Sequence, residues 1–336
     1  MKTIVCEKPH ELTVTERERP VRKAGEVMVR IRRVGLCGTD FHIFTGNQPY
    51  LNYPRVMGHE LSGEIAETDP ASGFTTGQLV TINPYLPCGT CIACRKAKPN
   101  CCVNIKVLGV HIDGGMTEFV CVPEQAIVDA KGLSLDQAAM VEFLSIGAHA
   151  VRRAELEAGE RVLVVGAGPI GIAAALAARL AGATVSLIDT MSQRLAHASE
   201  RLGFTNVAVV DASLEEWLSQ QTDGEYFDCV FDATGSARAI EGGFRYVAHG
   251  GRYVLISVVK DTISFADPEF HKREMKLIGS RNATSQDFQY VIDHIRDGSI
   301  PTEALHTHAF DMKDMPTAVP GFIKDMGSVL KAIGQF

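Results

Sequence analysis

Two groups of side chains in this chain have the types and spacing of metal ligands. Cys88, Cys91, Cys94 and Cys102 follow one another as Cys-x2-Cys-x2-Cys-x7-Cys in a stretch containing Gly, Pro and Lys. Four thiolates at such intervals can close tetrahedrally around zinc, and a site closed by four protein ligands keeps no position for a reacting molecule, so this set reads as structural. The first three cysteines also open like an iron–sulfur run. That run wants its fourth cysteine three residues on and before proline, whereas Cys101-Cys102 stands farther off and precedes Val103. Cys101 is then a spare thiol beside a ligand. The second group is dispersed: Cys37 in Gly35-Leu36-Cys37-Gly38-Thr39-Asp40-Phe41-His42, then Gly58-His59-Glu60, then Glu142 in Val141-Glu142-Phe143. Thiolate, imidazole and carboxylate together are the donor mix of a catalytic zinc, which must leave one coordination position to water or substrate.

A third signal lies in Val162-Leu163-Val164-Val165-Gly166-Ala167-Gly168-Pro169-Ile170-Gly171, an apolar strand feeding a Gly-x-Gly-x-x-Gly turn. Gly166 permits the turn, Gly168 lets backbone approach a pyrophosphate, and Gly171 lets the next helix pack on its strand while its N-terminus attracts the phosphates. An alanine-rich helix follows from Ile172, Gly182 suits its C-cap, and Thr184 to Ile188 forms a second strand ending in Asp189. A carboxylate at that distance reaches the ribose hydroxyls of NAD and repels the 2′-phosphate of NADP. Thr190 and Met191 supply no cation to receive that phosphate, although Arg194 follows shortly after. Thr234, in Asp232-Ala233-Thr234-Gly235, ends a later strand toward the dinucleotide; Ile256, Ser257, Val258, Ser280 and Arg281 stand at the ends of two more and should border the nicotinamide.

The elements that must carry these residues divide the chain. At 336 residues it exceeds the size at which one core stops growing, so two domains are expected. Residues 1–147 show short strands punctuated by Gly and Pro, among them Glu26 to Arg32 and Gly77 to Ile82, and read as a β-rich domain. Residues 148–281 alternate strand and helix as a doubly wound α/β sheet, with strands at Asn206 to Val210, Asp228 to Asp232, Gly251 to Ser257 and Lys276 to Ile278. Residues 282–336 carry one helical stretch, Asp287 to Arg296, then short apolar runs without another βαβ unit, and are expected to return to the first domain. A formal charge of −7 with no basic cluster argues against nucleic acid as partner. No apolar segment has the length of a signal peptide or a membrane span, so the expectation is a cytoplasmic protein whose nine cysteines serve metals rather than disulfides.

The elements Gly-x-Cys-Gly-Thr-Asp-x-His, Gly58-His59-Glu60, the four-cysteine loop and Gly-Ala-Gly-Pro-Ile-Gly, in this order, resemble the zinc-dependent medium-chain alcohol and polyol dehydrogenases over essentially the whole chain. Val141-Glu142-Phe143-Leu144-Ser145-Ile146-Gly147 is similar to the sorbitol dehydrogenase branch, which has Glu where ethanol-type enzymes have Cys, although Phe143 replaces that branch's usual Pro. The resemblance implies a chaperonin-10-like catalytic domain, a Rossmann domain, an active site in the cleft and a homodimer or homotetramer. It implies two zinc ions, one held by Cys37, His59 and Glu60 with Glu142 as direct or water-bridged ligand, the other by the four cysteines. It makes Asp40 the carboxylate that orients His59, a role with its own physical reason because a ligating imidazole needs its second nitrogen held. Thr39 and His42 would carry the proton away while hydride passes from a secondary carbinol carbon to NAD. Segments such as Gly46-Asn47-Gln48-Pro49, Tyr53-Pro54-Arg55-Val56 and Asp267-Pro268-Glu269-Phe270-His271-Lys272 look closer to bacterial L-galactonate 5-dehydrogenases than to animal sorbitol dehydrogenases. The expected substrate is therefore a sugar acid or polyol, the L-galactonate or L-gulonate type first, with Arg281 gripping a carboxylate or two hydroxyls and Asn282 standing where sorbitol dehydrogenases have Tyr. The alternatives are a threonine-type or other alcohol dehydrogenase, and a nicotinamide-binding sensor or structural protein that keeps the fold without the reaction.

Overall fold

The computed structural model describes residues 1–48 and 51–336, so Pro49, which closes one of the segments quoted above, lies outside the described residues. Contacts part the chain into two units, Met1–Phe143 with Ala283–Phe336, and Leu144–Asn282. The helix Val141–Ala154 runs through the first division. A boundary drawn after residue 147 therefore falls inside one continuous helix, whose apolar periodicity gives no sign of the change of partner.

The first unit is built on a seven-stranded sheet in which Glu26–Gly35 is central, flanked by Lys331–Gln335, Glu60–Glu67 and Phe119–Pro123. Val27, Val29 and Ile31 are fully buried along this strand, and each such side chain contributes about 1.5–3 kcal/mol by leaving water. The strand Lys331–Gln335 pairs antiparallel with it, placing Gly334 opposite Val34. The C-terminal segment differs from its sequence reading. His306–Asp311 and Lys331–Gln335 pair in parallel, with the helix Met315–Lys324 between them, which makes a further βαβ unit. Pro316 at the helix start and Pro320 inside it broke up the helical signal that would have announced this crossover.

The second unit is a six-stranded parallel sheet whose order, Asn206–Val209, Thr184–Asp189, Arg161–Val165, Phe227–Asp232, Val247–Leu255 and Lys276–Gly279, runs outward from the third to the first strand and then onward. Parallel strands covered on both faces explain why Val162, Leu163 and Val164 are all buried rather than alternating. Such an order places a switch point at Arg161–Val165, where a doubly wound sheet takes its ligand. No helix among the described residues is long and apolar enough to cross a membrane.

Candidate metal centres and dinucleotide site

The dispersed ligands are assembled by three local devices. Cys37 precedes the helix Gly38–Phe44, and its backbone N–H donates to Asp40 Oδ2 at 3.0 Å. Gly58 N–H donates to the other oxygen of the same carboxylate at 3.3 Å, so Asp40 ties together the two segments that present Cys37 and His59. Its distance from His59 Nδ1, 4.0 Å, is an ion-pair distance and too long for a hydrogen bond, so its hold on the imidazole runs through backbone and charge instead of the direct bond expected. Glu60 opens the strand Glu60–Glu67 opposite Gly35; a Cβ at Gly35 would lie 2.2 Å from Glu60 Oε2, so only glycine admits the carboxylate there.

Ligand atoms of Cys37, His59 and Glu60 all lie within 4.8 Å of one another, and His59 Nδ1 is buried with no hydrogen-bond partner. Burial pulls the imidazole down, but the charges of Asp40 and Cys37 outweigh it and hold His59 well above its ordinary range. Such a pocket favours a positive charge. A sulfur donor, an imidazole and a carboxylate whose ligand atoms converge at these distances fit zinc, and the orphaned Nδ1 on the Asp40 side leaves the imidazole free to take it up. Glu142 falls outside this close set. It sits in the first turn of Val141–Ala154 and accepts a hydrogen bond at Oε1 from the Tyr85 hydroxyl. Burial pushes its carboxyl up to about 7 against the pull of the His59 charge. Burial and the Glu142 carboxylate likewise raise the Tyr85 phenol well above its usual range. Thr39 is half-buried and His42 exposed on the helix that follows Cys37.

Two residues that hold these carboxylates escaped the sequence reading. Lys331 is 1% exposed, and its Nζ donates to both oxygens of Glu60, 2.6 Å each, and to the Leu36 carbonyl at 3.1 Å. The same ammonium lies 4.2 Å from the centre of the Phe143 ring, a cation–π contact that the proline usual in the sorbitol branch could not make. A lone Lys inside the apolar run Val329-Leu330-Lys331-Ala332-Ile333 was a readable warning of a buried pair. Tyr85 gave no comparable sign.

The four cysteines form the second group, again with ligand atoms within 4.8 Å of one another. The short helix Ile92–Arg95 supplies Cys94, and Cys88 N–H donates to Cys102 Sγ at 3.2 Å. Backbone N–H groups, that of Thr90 foremost, hold the Cys88 thiol down to about 5, which favours the thiolate a metal needs. Burial pushes Cys94 the other way, up to about 11. Cys101 is exposed beside them.

In the second unit the glycine turn has the geometry its sequence requires. Gly166 has φ +97°, and a Cβ at Gly171 would lie 1.7 Å from the Gly166 carbonyl oxygen. Gly168 caps the helix Pro169–Leu180, with Pro169 and Ile170 in its first turn. A cavity of about 680 Å³ opens on this turn, lined by Gly166, Gly168, Asp189, Arg194 and Thr234 among others. Asp189 accepts from Ala167 N–H at 2.7 Å and Met191 N–H at 2.8 Å, and Arg194 lies 3.7 Å from it. Its carboxylate thus shapes the turn as well as facing the cavity, and Arg194 already has an acid to answer. Thr234 donates from N–H and Oγ1 to Asp232. Ile256, Ser257 and Val258 follow the strand Val247–Leu255, and Ser280 and Arg281 follow Lys276–Gly279; none of the five is among the residues lining that cavity. Ser280 N–H donates to the Leu255 carbonyl at 2.9 Å, so the two strand ends are neighbours. Arg281 is exposed, and Asn282 takes a left-handed conformation, φ 55°.

Residues 23–132 match the alcohol dehydrogenase GroES-like domain, and residues 169–297 match the zinc-binding dehydrogenase domain. The chain is 41% identical to L-galactonate-5-dehydrogenase of Escherichia coli (strain K12), with 92% of each chain covered. It is 34% identical to D-altritol 5-dehydrogenase of Agrobacterium fabrum, over 89% of this chain and 88% of that one. Its fold superposes with TM-score 0.94 on a crystal structure of an alcohol dehydrogenase from Escherichia coli CFT073 complexed with NADH, at 30% identity, covering 100% of this chain and 99% of the other.

Proposed function

We propose, from the premise that this chain belongs to the zinc-dependent medium-chain alcohol dehydrogenase family, that it oxidises a secondary hydroxyl of an aldonate of the L-galactonate or L-gulonate type to the keto acid, transferring hydride to NAD. The observation that carries the reading is the convergence of Cys37, His59 and Glu60 within 4.8 Å in a buried pocket with Glu142 and Asp40 behind them. These three would hold the reactive zinc, with Glu142 joining directly or through water, and Cys88, Cys91, Cys94 and Cys102 would hold the other. Zinc in the first site supplies Lewis acidity toward the substrate hydroxyl. Cys37 would serve as the sulfur donor, and Asp40 fixes the two segments on which Cys37 and His59 stand. Thr39 would accept the hydroxyl proton at Oγ1 as it gives its own to the cofactor ribose, from which His42, open to water, would pass a proton out. The Gly166–Gly171 turn would take the pyrophosphate and Asp189 the adenosine ribose.

Arg281 and Asn282 would meet the substrate, the guanidinium holding the carboxylate through paired N–H bonds. An NADH-formation screen across aldonates, hexitols, pentitols and L-threonine tests the class directly. Arg281→Lys is expected to raise KM for the aldonate about 10–100-fold, the loss of one charge-assisted bond, with a much smaller effect on the matching polyol. Equal losses on both, or faster turnover of a neutral hexitol by the unmodified protein, would move the assignment to a polyol. Asp189→Ala is expected to raise the NADP to NAD ratio of kcat/KM by roughly one to two decades. An unchanged ratio would show that Asp189 serves the turn alone. The exposed edge strand Lys276–Gly279, with Leu277 on it, is the face through which a homodimer or homotetramer would form, and sedimentation would decide between them. The reading places the protein in the cytoplasm, where its nine cysteines stay reduced.

A further inference from the structure

The two carboxylates near the dispersed metal site are held in unlike ways. Glu60 has both oxygens engaged by Lys331, whereas the hydroxyl of Tyr85 engages Oε1 of Glu142. Tyr85 is buried, and its backbone is fixed from several sides. Its N–H donates to the Asn83 side chain at 3.1 Å, and Asn83 N–H donates in turn to the Ala126 carbonyl at 2.8 Å. The two-residue strand Tyr85–Leu86 pairs antiparallel with Lys106–Val107, closing the base of the segment that bears the four cysteines. A phenol so anchored has one rotatable donor to offer, and at neutral pH it carries its proton.

We propose that Tyr85 is a positioning residue for the reactive zinc: its hydroxyl holds Oε1 of Glu142 so that Oε2 is the oxygen left to the metal centre. The proposal rests on the metal reading given above. A carboxylate has two equivalent oxygens and a nearly free terminal torsion, so one outer hydrogen bond selects a single orientation and spares the metal the cost of imposing it. Glu142, whose first-turn position fixes its Cα but not its carboxylate plane, is the donor in most need of such a partner.

The test uses zinc-loaded full-length protein and the isosteric change Tyr85→Phe, which keeps the ring's packing and removes the hydroxyl alone. Cys37→Ser and Cys91→Ser first identify which of two zinc ions belongs to each site. Tyr85→Phe is expected to weaken the zinc lost in Cys37→Ser by about 10–100-fold in chelator competition, to leave the zinc lost in Cys91→Ser unchanged, and to shift the visible spectrum of cobalt(II) placed in the first site. Made in a Glu142→Ala background, which removes the acceptor, the same change should alter that affinity by less than about twofold. Wild-type affinity and an unshifted cobalt spectrum in Tyr85→Phe would overturn the proposal, as would an equal loss in the Ala background. Failure of the underlying reading looks different: a wild-type protein with one zinc, untouched by Cys37→Ser, removes the reactive site and the role of Tyr85 with it.

Discussion

The two cysteine-bearing centres of the first unit are assembled on opposite plans. Cys88, Cys91, Cys94 and Cys102 come from one short segment, with a four-residue helix between them and backbone N–H groups to steady the thiolates. Cys37, His59 and Glu60 come from a helix start, a loop and a strand; Asp40 on that same helix ties the first two segments, and Lys331, from the far end of the chain and lying over Phe143, holds the third. In the first centre a bound metal would organise the protein; in the second the protein is already arranged to organise a metal. A closed local site needs no outer partners because its four ligands saturate the ion, whereas a site that keeps a position open must hold each ligand from behind.

The largest consequence is expected at Cys37. Cys37→Ser should lower kcat by about three decades or more, since it removes a ligand on which Lewis-acid stabilisation depends, while NAD binding measured by fluorescence titration stays within a few-fold. Retained turnover would mean that the dispersed centre is not the reactive one. Next is Lys331→Met, which strands the Glu60 carboxylate in the core. Breaking a buried pair costs about 3–5 kcal/mol, and the metal-free protein should lose that much stability in denaturant unfolding. Zinc supplies a replacement charge, so the zinc-loaded protein should lose less. An equal loss in both forms would separate Glu60 from the metal and break the contrast drawn above. Smallest is Cys91→Ser, expected to lower Tm by roughly 5 °C or more, the shift that about 2 kcal/mol produces in a domain of this size class, with kcat per folded molecule nearly unchanged. If that variant kept its Tm while binding one zinc fewer, the four-cysteine site would not be structural.

Much of this architecture was legible because it is local. The Gly-x-Gly-x-x-Gly turn, the alternating strands of the second unit and the four-cysteine loop each state their geometry within a few dozen residues, where spacing alone fixes what can meet. The run Val162 to Val165 predicts a buried strand, and the strand Arg161–Val165 is found. The C-terminal crossover was missed because Pro316 and Pro320 speak against a helix that tertiary packing nevertheless supports around Met315 and Val319.

The sequence by itself determined the donor types: that Cys37, His59 and Glu60 offer a zinc mix, that Asp189 suits a ribose, that four thiols can close on an ion. Tertiary structure alone decided which charges answer which. Only the antiparallel pairing of Lys331–Gln335 with Glu26–Gly35 brings Lys331 beside the Cys37 loop and onto Glu60. Only the turn at Asn83 and the Tyr85–Leu86 ladder aim a phenol at Glu142. The physical reason is range. Propensity and ligand spacing act over a few bonds along the chain, but a buried charge must be compensated by whatever the fold places within about 3–4 Å, and that partner can stand 271 residues away, as Lys331 does from Glu60.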